Sequence, residues 1–354
     1  MNEKIKCLRE RLKRLNLEGM IVSNPVNIKY LTNIDSEQGV LLITRKENMY
    51  LTHTMFIEDV NSVLTINDEV IVMNYRDISK EEYENFFLFC ENIGFEENYV
   101  TYEDYKTLKH KYKINNLVET EGIIESQRTI KDIEEINKIK RACEITDECF
   151  SHLLTYIKKG MTEKEVALEI ERFFKTNGAE GVSFEPVVAF GENSSKPHHK
   201  PTNRKVEMAD PILIDMGCKY KGYCSDMTRT IFMGCILEEI KPIYDIIRKN
   251  ETMGISEVKE NSNIRTLTKG VENNFEFNKF ELIHSLGHGI GLEVHEIPYI
   301  NAKNESLLKE NMVITIEPGI YLPGRYGIRI EDTVLVTKNG SIELTKSAKN
   351  YIVI

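Results

Sequence analysis

The sequence predicts two domains, a smaller α/β domain followed by a larger α+β domain, and three observations carry this expectation. The chain has 354 residues, whereas a single hydrophobic core rarely grows past about 250–300. Short apolar runs alternate with helical periodicity up to about residue 120, and after Gly178 the texture changes to strands and turns around a block of helices. The composition, 41% hydrophobic and 29% charged with nine prolines, is that of a folded globular chain rather than a disordered or disulfide-stapled one.

Taken in order, Ile5, Leu8, Leu12 and Leu15 form one helical stripe, and apolar runs at 20–22, 40–43 and 49–51 read as strands between turn residues. The segment EGIIESQRTIKD leads into a long amphipathic helix with Ile133, Ile136, Ile139 and Cys143 inward, so the domains are placed at 1–125 and 126–354. Gly160 ends that helix. Thr162 and Glu165 have the spacing of a capping box for a second helix, which Gly178 closes. Strands follow at 187–189, 211–214, 228–232, 312–316 and 333–336, with helices near 237–250, 252–260 and 263–276. A block of helices beside a mainly antiparallel sheet defines the α+β domain.

Forty-six Lys and Arg against fifty-six Asp and Glu give a net charge of −10, which opposes a phosphate backbone and argues against nucleic acid as a partner. No apolar run approaches the ~18–20 residues of a membrane span, and the first seventeen residues lack the apolar stretch of a secretion signal. A cytoplasmic location without a membrane partner is expected. The seven cysteines contain no C-x-x-C, so they read as buried small residues or free thiols rather than a disulfide framework or zinc ribbon.

Chemistry is carried by polar residues inside otherwise apolar segments: Asp215 in ILIDMG, Asp226 in YCSDMT, His288 in SLGHGIG, His295 in EVHEIP, Glu317 in ITIEPG, and Arg329 with Glu331 in GIRIEDTV. A buried carboxylate costs several kcal/mol unless it is paired or metal-bound. A salt-bridged core acid explains any one of them about as well, but loses ground when four acids share the habit beside one arginine. Asp215 and Asp226 are eleven apart around Gly217 and Gly222, and Glu317 and Glu331 are fourteen apart around two Pro-Gly pairs. Two hairpins with two carboxylates each look like a duplicated half-site. Four carboxylates and one imidazole are the ligand set of a two-metal centre, with ions ~3.5–4 Å apart. Its oxygen-rich character suits Mn²⁺ more than a thiolate-type zinc site.

His284 and His288 have i, i+4 spacing, but Ser285 stands where a zinc-helix motif needs Glu, and Gly287, Gly289 and Gly291 make a helix improbable. A glycine-rich loop is the expectation, and G-x-G-x-G gives no support for a nucleotide cofactor. His198 and His199 would ordinarily be a solvated pair, yet an imidazole near a metal centre can hydrogen-bond a developing oxyanion. His198 and His295 are therefore candidates, while His53, His110 and His152 read as structural.

The stretches NIKYLTNI, FEPVVAFGENSSKPHHKPTNRK, LIDMGCKYKGYCSDMTRT, HSLGHGIGLEVHE, MVITIEPGIY and GIRIEDTVLVT resemble the successive motifs of the pita-bread metallo-aminopeptidases, in the branch of Xaa-Pro aminopeptidases and Xaa-Pro dipeptidases. The resemblance is strong over 130–354 and weaker over 1–125. It implies a pita-bread catalytic domain of two pseudo-symmetric halves behind a creatinase-like N-terminal domain. It implies Asp215, Asp226, His288, Glu317 and Glu331 as ligands of two divalent ions, most simply Mn²⁺ with Co²⁺ or Zn²⁺ as alternatives, and Asp226 and Glu331 as bridges. His198 and His295 match substrate-contacting histidines, Arg329 a supporting arginine, and Glu317 a proton relay. Phe190 departs from relatives that commonly carry a small residue there, which bears on the substrate side. The implied reaction is hydrolysis of the bond between a first residue and proline, with an Xaa-Pro aminopeptidase first. A dipeptidase, in which a cation such as Arg329 or a histidine holds the free proline carboxylate, is the alternative, and a non-catalytic binding relative is more remote. The resemblance also suggests a homodimer.

Overall fold

The computed structural model describes residues 2–36, 38–64 and 69–354. The chain divides into two compact units, Met1–Arg128 and Thr129–Ile354.

The first unit opens with α1 (Glu3–Arg14), capped by the Asn2 side chain, which accepts from the amides of Lys4 and Ile5. Ile5, Leu8 and Leu12 are buried, but Leu15 lies past the helix end and is exposed, so the predicted stripe is one residue too long. β1 (Gly19–Val22), α2 (Pro25–Thr32), β2 (Val40–Thr44), β3 (Asn48–Thr52), α3 (Ile57–Val63), β4 (Val70–Asn74), α4 (Lys80–Phe86), β5 (Asn92–Phe95), α5 (Tyr102–Lys111), β6 (Asn116–Glu119) and α6 (Ile123–Arg128) follow. The strands form one sheet in the order β4-β3-β2-β1-β5-β6. Its middle is antiparallel and its flanks are parallel: a tight turn joins β2 to β3 and α2 lies between β1 and β2, whereas helices carry the chain between the parallel pairs β3–β4 and β5–β6.

The second unit begins with α7 (Ile133–Tyr156) and α8 (Glu163–Thr176), each opened by a capping box, Asp132 with Glu135 and Thr162 with Glu165. Ile133 is the first helical residue and faces out at 69% exposure, whereas Ile136, Ile139 and Cys143 are buried as expected. Then come β7 (Gly181–Val182), β8 (Val187–Phe190), β9 (Pro211–Met216), β10 (Cys218–Tyr220), β11 (Tyr223–Cys224) and β12 (Met227–Phe232). The remaining elements are α9 (Lys241–Ser256), α10 (Ile264–Phe277), β13 (Gly287–Gly289), β14 (Glu296–Ile300), β15 (Val313–Ile316), β16 (Gly319–Leu322), β17 (Tyr326–Arg329), β18 (Asp332–Thr337) and β19 (Gly340–Glu343). Of the separate helix expected near 252–260, residues 252–256 are the last part of α9 and 257–260 lie beyond its end. Nothing at Asn250 or Glu251 breaks the helix; both are buried in it, and the Asn250 amide donates to Ile246 O and Asn274 Oδ1.

Each half of this unit packs a helix pair on antiparallel strands. One core joins α7 and α8 to β8, β9 and β12, and the other joins α9 and α10 to β15 and β18. In each half a long strand pair flanks an inserted short hairpin: β9 pairs with β12 around β10–β11, and β15 pairs with β18 around β16–β17. The acids stand where these strand pairs end.

Gly287 and Gly289 of the glycine-rich segment lie in a strand rather than a loop, and Gly291 follows in the loop after it. β13 lies between β14 and β15, and a Cβ on Gly287 would stand 1.9 Å from Thr315 O, one on Gly289 2.4 Å from Ile297 O. The glycines thus serve close strand approach. Gly287→Ala is expected to destabilise the fold by about 1–3 kcal/mol through overpacking. Gly270→Ala, on the exposed side of α10 with nothing within 4 Å of its added Cβ, should stabilise by roughly 0.5–1 kcal/mol. Denaturant unfolding of both variants reads the opposite signs.

Candidate metal centre

A cavity of about 590 Å³ is lined by Asp215, Asp226, His288, Glu317 and Glu331 together with His198, His295 and Arg329, so the structure brings every predicted site residue to one place. Asp215 sits on β9 opposite Thr228, and Asp226 immediately precedes β12. Glu317 and Glu331 follow β15 and precede β18, one step beyond the Ile316–Asp332 pair. His288 is the middle residue of β13.

Three groups, Asp226, His288 and Glu331, offer ligand atoms within 4.8 Å of one another. His288 Nε2 lies 3.6 Å from Asp226 Oδ2 and 3.5 Å from Glu317 Oε1. Its Nδ1 stands 3.0 Å from Gly289 O, and since a carbonyl can only accept, Nδ1 carries the proton and Nε2 keeps its lone pair towards the carboxylates. Burial, helped by His295, lowers the His288 pKa to about 4, so the ring is neutral. The two rings meet edge to face at 4.4 Å.

The acids crowd one another. Burial, then the neighbouring carboxylates Glu331, Asp215 and Glu317, push Asp226 well above the usual carboxylate range. Burial with Glu317 and Asp215 does the same to Glu331, and burial holds Glu317 at about 8 despite the opposing charge of Arg329. Buried oxygens Asp215 Oδ1 and Asp226 Oδ1 have no hydrogen-bond partner. Bare lone pairs, mutually repelling carboxylates and an imidazole presenting its free nitrogen fit divalent cations.

Arg329 is committed within the protein. Nη2 donates to Asp215 Oδ2 at 2.6 Å, Nη1 to Tyr321 Oη at 2.6 Å, and Nε to Thr228 Oγ1 at 3.0 Å. Thr228 Oγ1 in turn donates to Glu331 Oε2 at 2.7 Å. One hydroxyl from the first half therefore meets both the guanidinium that pairs with Asp215 and the Glu331 carboxylate of the second half. Behind the site, buried Arg229 donates to Glu331 O and to Asp332 Oδ1.

His198 and His295 are exposed on the cavity wall. His199 is buried, with Nε2 2.8 Å from Glu163 Oε2, so the adjacent histidines are not a solvated pair. Phe190 packs in the core beneath α7 and α8 and does not line the cavity, so its bulk is not presented to substrate. The seven cysteines are free, four of them buried.

Residues 137–338 match the model of metallopeptidase family M24, and residues 4–130 match the creatinase/prolidase N-terminal domain. The chain belongs to family M24. This M24 peptidase is 33% identical to the Xaa-Pro dipeptidase of Pyrococcus horikoshii over 355 residues, covering 99% of each chain. Among solved structures, the Xaa-Pro dipeptidase from Bacillus anthracis superposes with a TM-score of 0.94 at 32% identity over 99% of both chains. The X-Pro aminopeptidase from Thermotoga maritima gives 0.89 at 30% identity, over 97% of this chain and all of that one. The fold is the pita-bread arrangement with a creatinase-like N-terminal domain, and family membership makes the protein a hydrolase that works with divalent metal ions. Among the described residues no helix is long and apolar enough to cross a membrane.

Sequence reasoning passed over Thr228 and Tyr321, and weighed His284 only as half of a zinc-helix pair. His284 lines the cavity with Nδ1 at Ser285 O and Nε2 3.1 Å from Tyr321 Oη, and burial, then the charge of Arg329, lowers its pKa to about 4. A threonine two residues after Asp226 was the available signal; the hydroxyl of Tyr321 had none, because the β16–β17 register sets its partner. Because cations would bind the native cluster and not the unfolded chain, added Mn²⁺ should raise Tm and chelation lower it, with ~2.7 kcal/mol gained at a hundredfold excess over Kd. Equal Tm with Mn²⁺ and with excess chelator would count against a metal centre.

Proposed function

We propose that this M24 peptidase is a dinuclear-metal Xaa-Pro dipeptidase, hydrolysing the bond between a first residue and a following proline. The observation that carries the reading is the convergence of four carboxylates, Asp226 and Glu331 buried and Asp215 and Glu317 partly so, and His288 on one cavity, in a chain whose end-to-end relatives include proteins named Xaa-Pro dipeptidase. The sequence ranked the aminopeptidase first; the full-length likenesses to dipeptidases support its alternative better, and the Thermotoga structure keeps the aminopeptidase as the second reading.

In this reading Asp215, Asp226, His288, Glu317 and Glu331 would hold two divalent ions, Mn²⁺ being the ion best suited to so many oxygens. Such ions supply Lewis-acid activation of the scissile carbonyl and of the attacking water. Arg329 orients Asp215 through its 2.6 Å contact. His198 donates a hydrogen bond to the developing oxyanion, and His295 contacts the peptide beyond it. Glu317 passes a proton towards the leaving proline nitrogen. Phe184, Val187, Pro197 and Val294 give the cavity the apolar wall that a proline ring needs. The negative cluster also attracts the substrate's free α-amine.

Arg329 is a less suited clamp for a dipeptide's carboxylate, since each of its nitrogens already donates within the protein, to Asp215, Tyr321 and Thr228, and its side chain is nearly buried. His198 and Lys200 remain on the cavity wall, and Lys200 has a largely exposed side chain whose Nζ is 3.7 Å from Glu185 Oε2. The expected cytoplasmic location and homodimer belong to this reading and are read by cell fractionation and light scattering.

In Mn²⁺, Xaa-Pro dipeptides should be cleaved with higher kcat/KM than the matching Xaa-Pro-Yaa tripeptides; a preference for tripeptides would return the assignment to an aminopeptidase. His288→Ala should lose both bound metal and turnover. His295→Ala should keep its metal while turnover falls ~10²–10³-fold, the scale of one transition-state contact. Metal stoichiometry measured beside kcat separates the two, and an empty His295→Ala site would make His295 a ligand.

A further inference from the structure

We propose that Glu163 is a positioning residue that holds the 190–202 segment so that His198 faces the cavity. The inference rests on the assignment of His198 to the oxyanion. Glu163 is the first residue of α8 and its side chain has no solvent exposure. Its carboxylate accepts five hydrogen bonds. Oε1 takes the Phe190 amide at 2.9 Å and Asn193 Nδ2 at 3.0 Å. Oε2 takes His199 Nε2 at 2.8 Å, the Thr202 amide at 2.9 Å and Thr202 Oγ1 at 2.6 Å.

These donors come from the start, middle and end of one segment, so a single carboxylate closes that segment around a point. Burial opposes its charge, but the contacts from Thr202, His199, Phe190 and Asn193 outweigh it and hold the carboxyl below its usual range. The N-terminus of α8 adds favourable partial charge. The backbone reinforces the clamp, with the Glu163 amide donating to Arg204 O and the Lys164 amide to Thr202 O.

The consequence for the cavity lies in the His198–His199 pair. Both histidines border the cavity, and seating His199 on Glu163 buries that ring and leaves its neighbour His198 as the exposed one. Without the anchor, nothing about two consecutive histidines chooses which ring meets the substrate. A carboxylate with five acceptor contacts also differs from a neutral side chain of the same shape: a glutamine would present its own N–H₂ to at least two of these donors.

The test is a double-mutant cycle in the full-length, Mn²⁺-loaded enzyme, with metal content and Tm measured on every variant. Glu163→Gln alone is expected to lower kcat about tenfold or more with metal content unchanged, and His198→Ala alone to lower it ~10²–10³-fold. In the His198→Ala background Glu163→Gln should then change kcat by less than about twofold, because the group it positions is gone. Thr202→Val, which removes one of the five donors, should move kcat in the same direction by less and serves if Glu163→Gln does not fold. Losses that multiply would overturn the inference and make Glu163 a general support of the fold. Full activity in Glu163→Gln, or in Thr202→Val where that variant stands in, would overturn it too. If His198→Ala itself keeps full activity, the oxyanion assignment fails instead, which is a separate result.

Discussion

Crowding four carboxylates together, two of them buried and two partly so, is the constraint on which the second domain depends. Each would be costly alone, and their mutual repulsion adds to the cost, so the surrounding structure must hold them against separation. The hold is a set of bonds between the two halves across β12 and residues 329–333. Thr228 O accepts the Glu331 amide, Thr228 Oγ1 lies between Arg329 and Glu331, Thr230 Oγ1 donates to Arg329 O, and Thr333 Oγ1 donates to Asp226 O. Buried Arg229 completes it from behind through Glu331 O and Asp332. Every one of these groups has a polar partner, which is why so polar a seam can lie inside the domain.

The repeated strand–hairpin–strand pattern explains how carboxylates distant in sequence reach one cavity. A short hairpin inserted between two long paired strands lets the chain leave the sheet and return, and the residues flanking the insertion are brought opposite each other. Asp215 with Asp226 and Glu317 with Glu331 occupy those flanks. Two similar half-sites facing each other then form one centre, with His288 added from an inner strand of the second sheet whose glycines permit close approach.

Around this centre the histidine-bearing segments are held by buried acids that are not themselves in the cluster. Glu163 gathers the segment carrying His198, and Glu296, paired with buried Lys131 at 3.1 Å, accepts the Glu293 amide beside the turn carrying His295. Both acids lie in the interior, where a charge is tolerated because donors surround it. The catalytic reading of the histidines therefore depends on charges one layer further out, which patterns of metal-ligand spacing do not reveal.

The sequence by itself determined the existence and order of the elements that matter most. Capping boxes at α7 and α8, apolar runs for β9, β12, β15 and β18, and acids interrupting those runs are local signals, because each depends on side-chain type at fixed offsets. Asp215, Asp226, His288, Glu317 and Glu331 could thus be singled out before any packing was known, and the motifs they form pointed to the family. Leu15, Ile133 and the supposed break near residue 252 were misjudged because periodicity does not say where a helix meets its neighbours. The tertiary structure alone decided that Gly287 and Gly289 lie in a strand, that Arg329 is committed to Asp215 and Tyr321, and that His198 faces the cavity while His199 is buried on Glu163. Those outcomes depend on partners more than thirty residues away or on strand register, and a linear pattern carries no information about which distant donor will meet which acceptor.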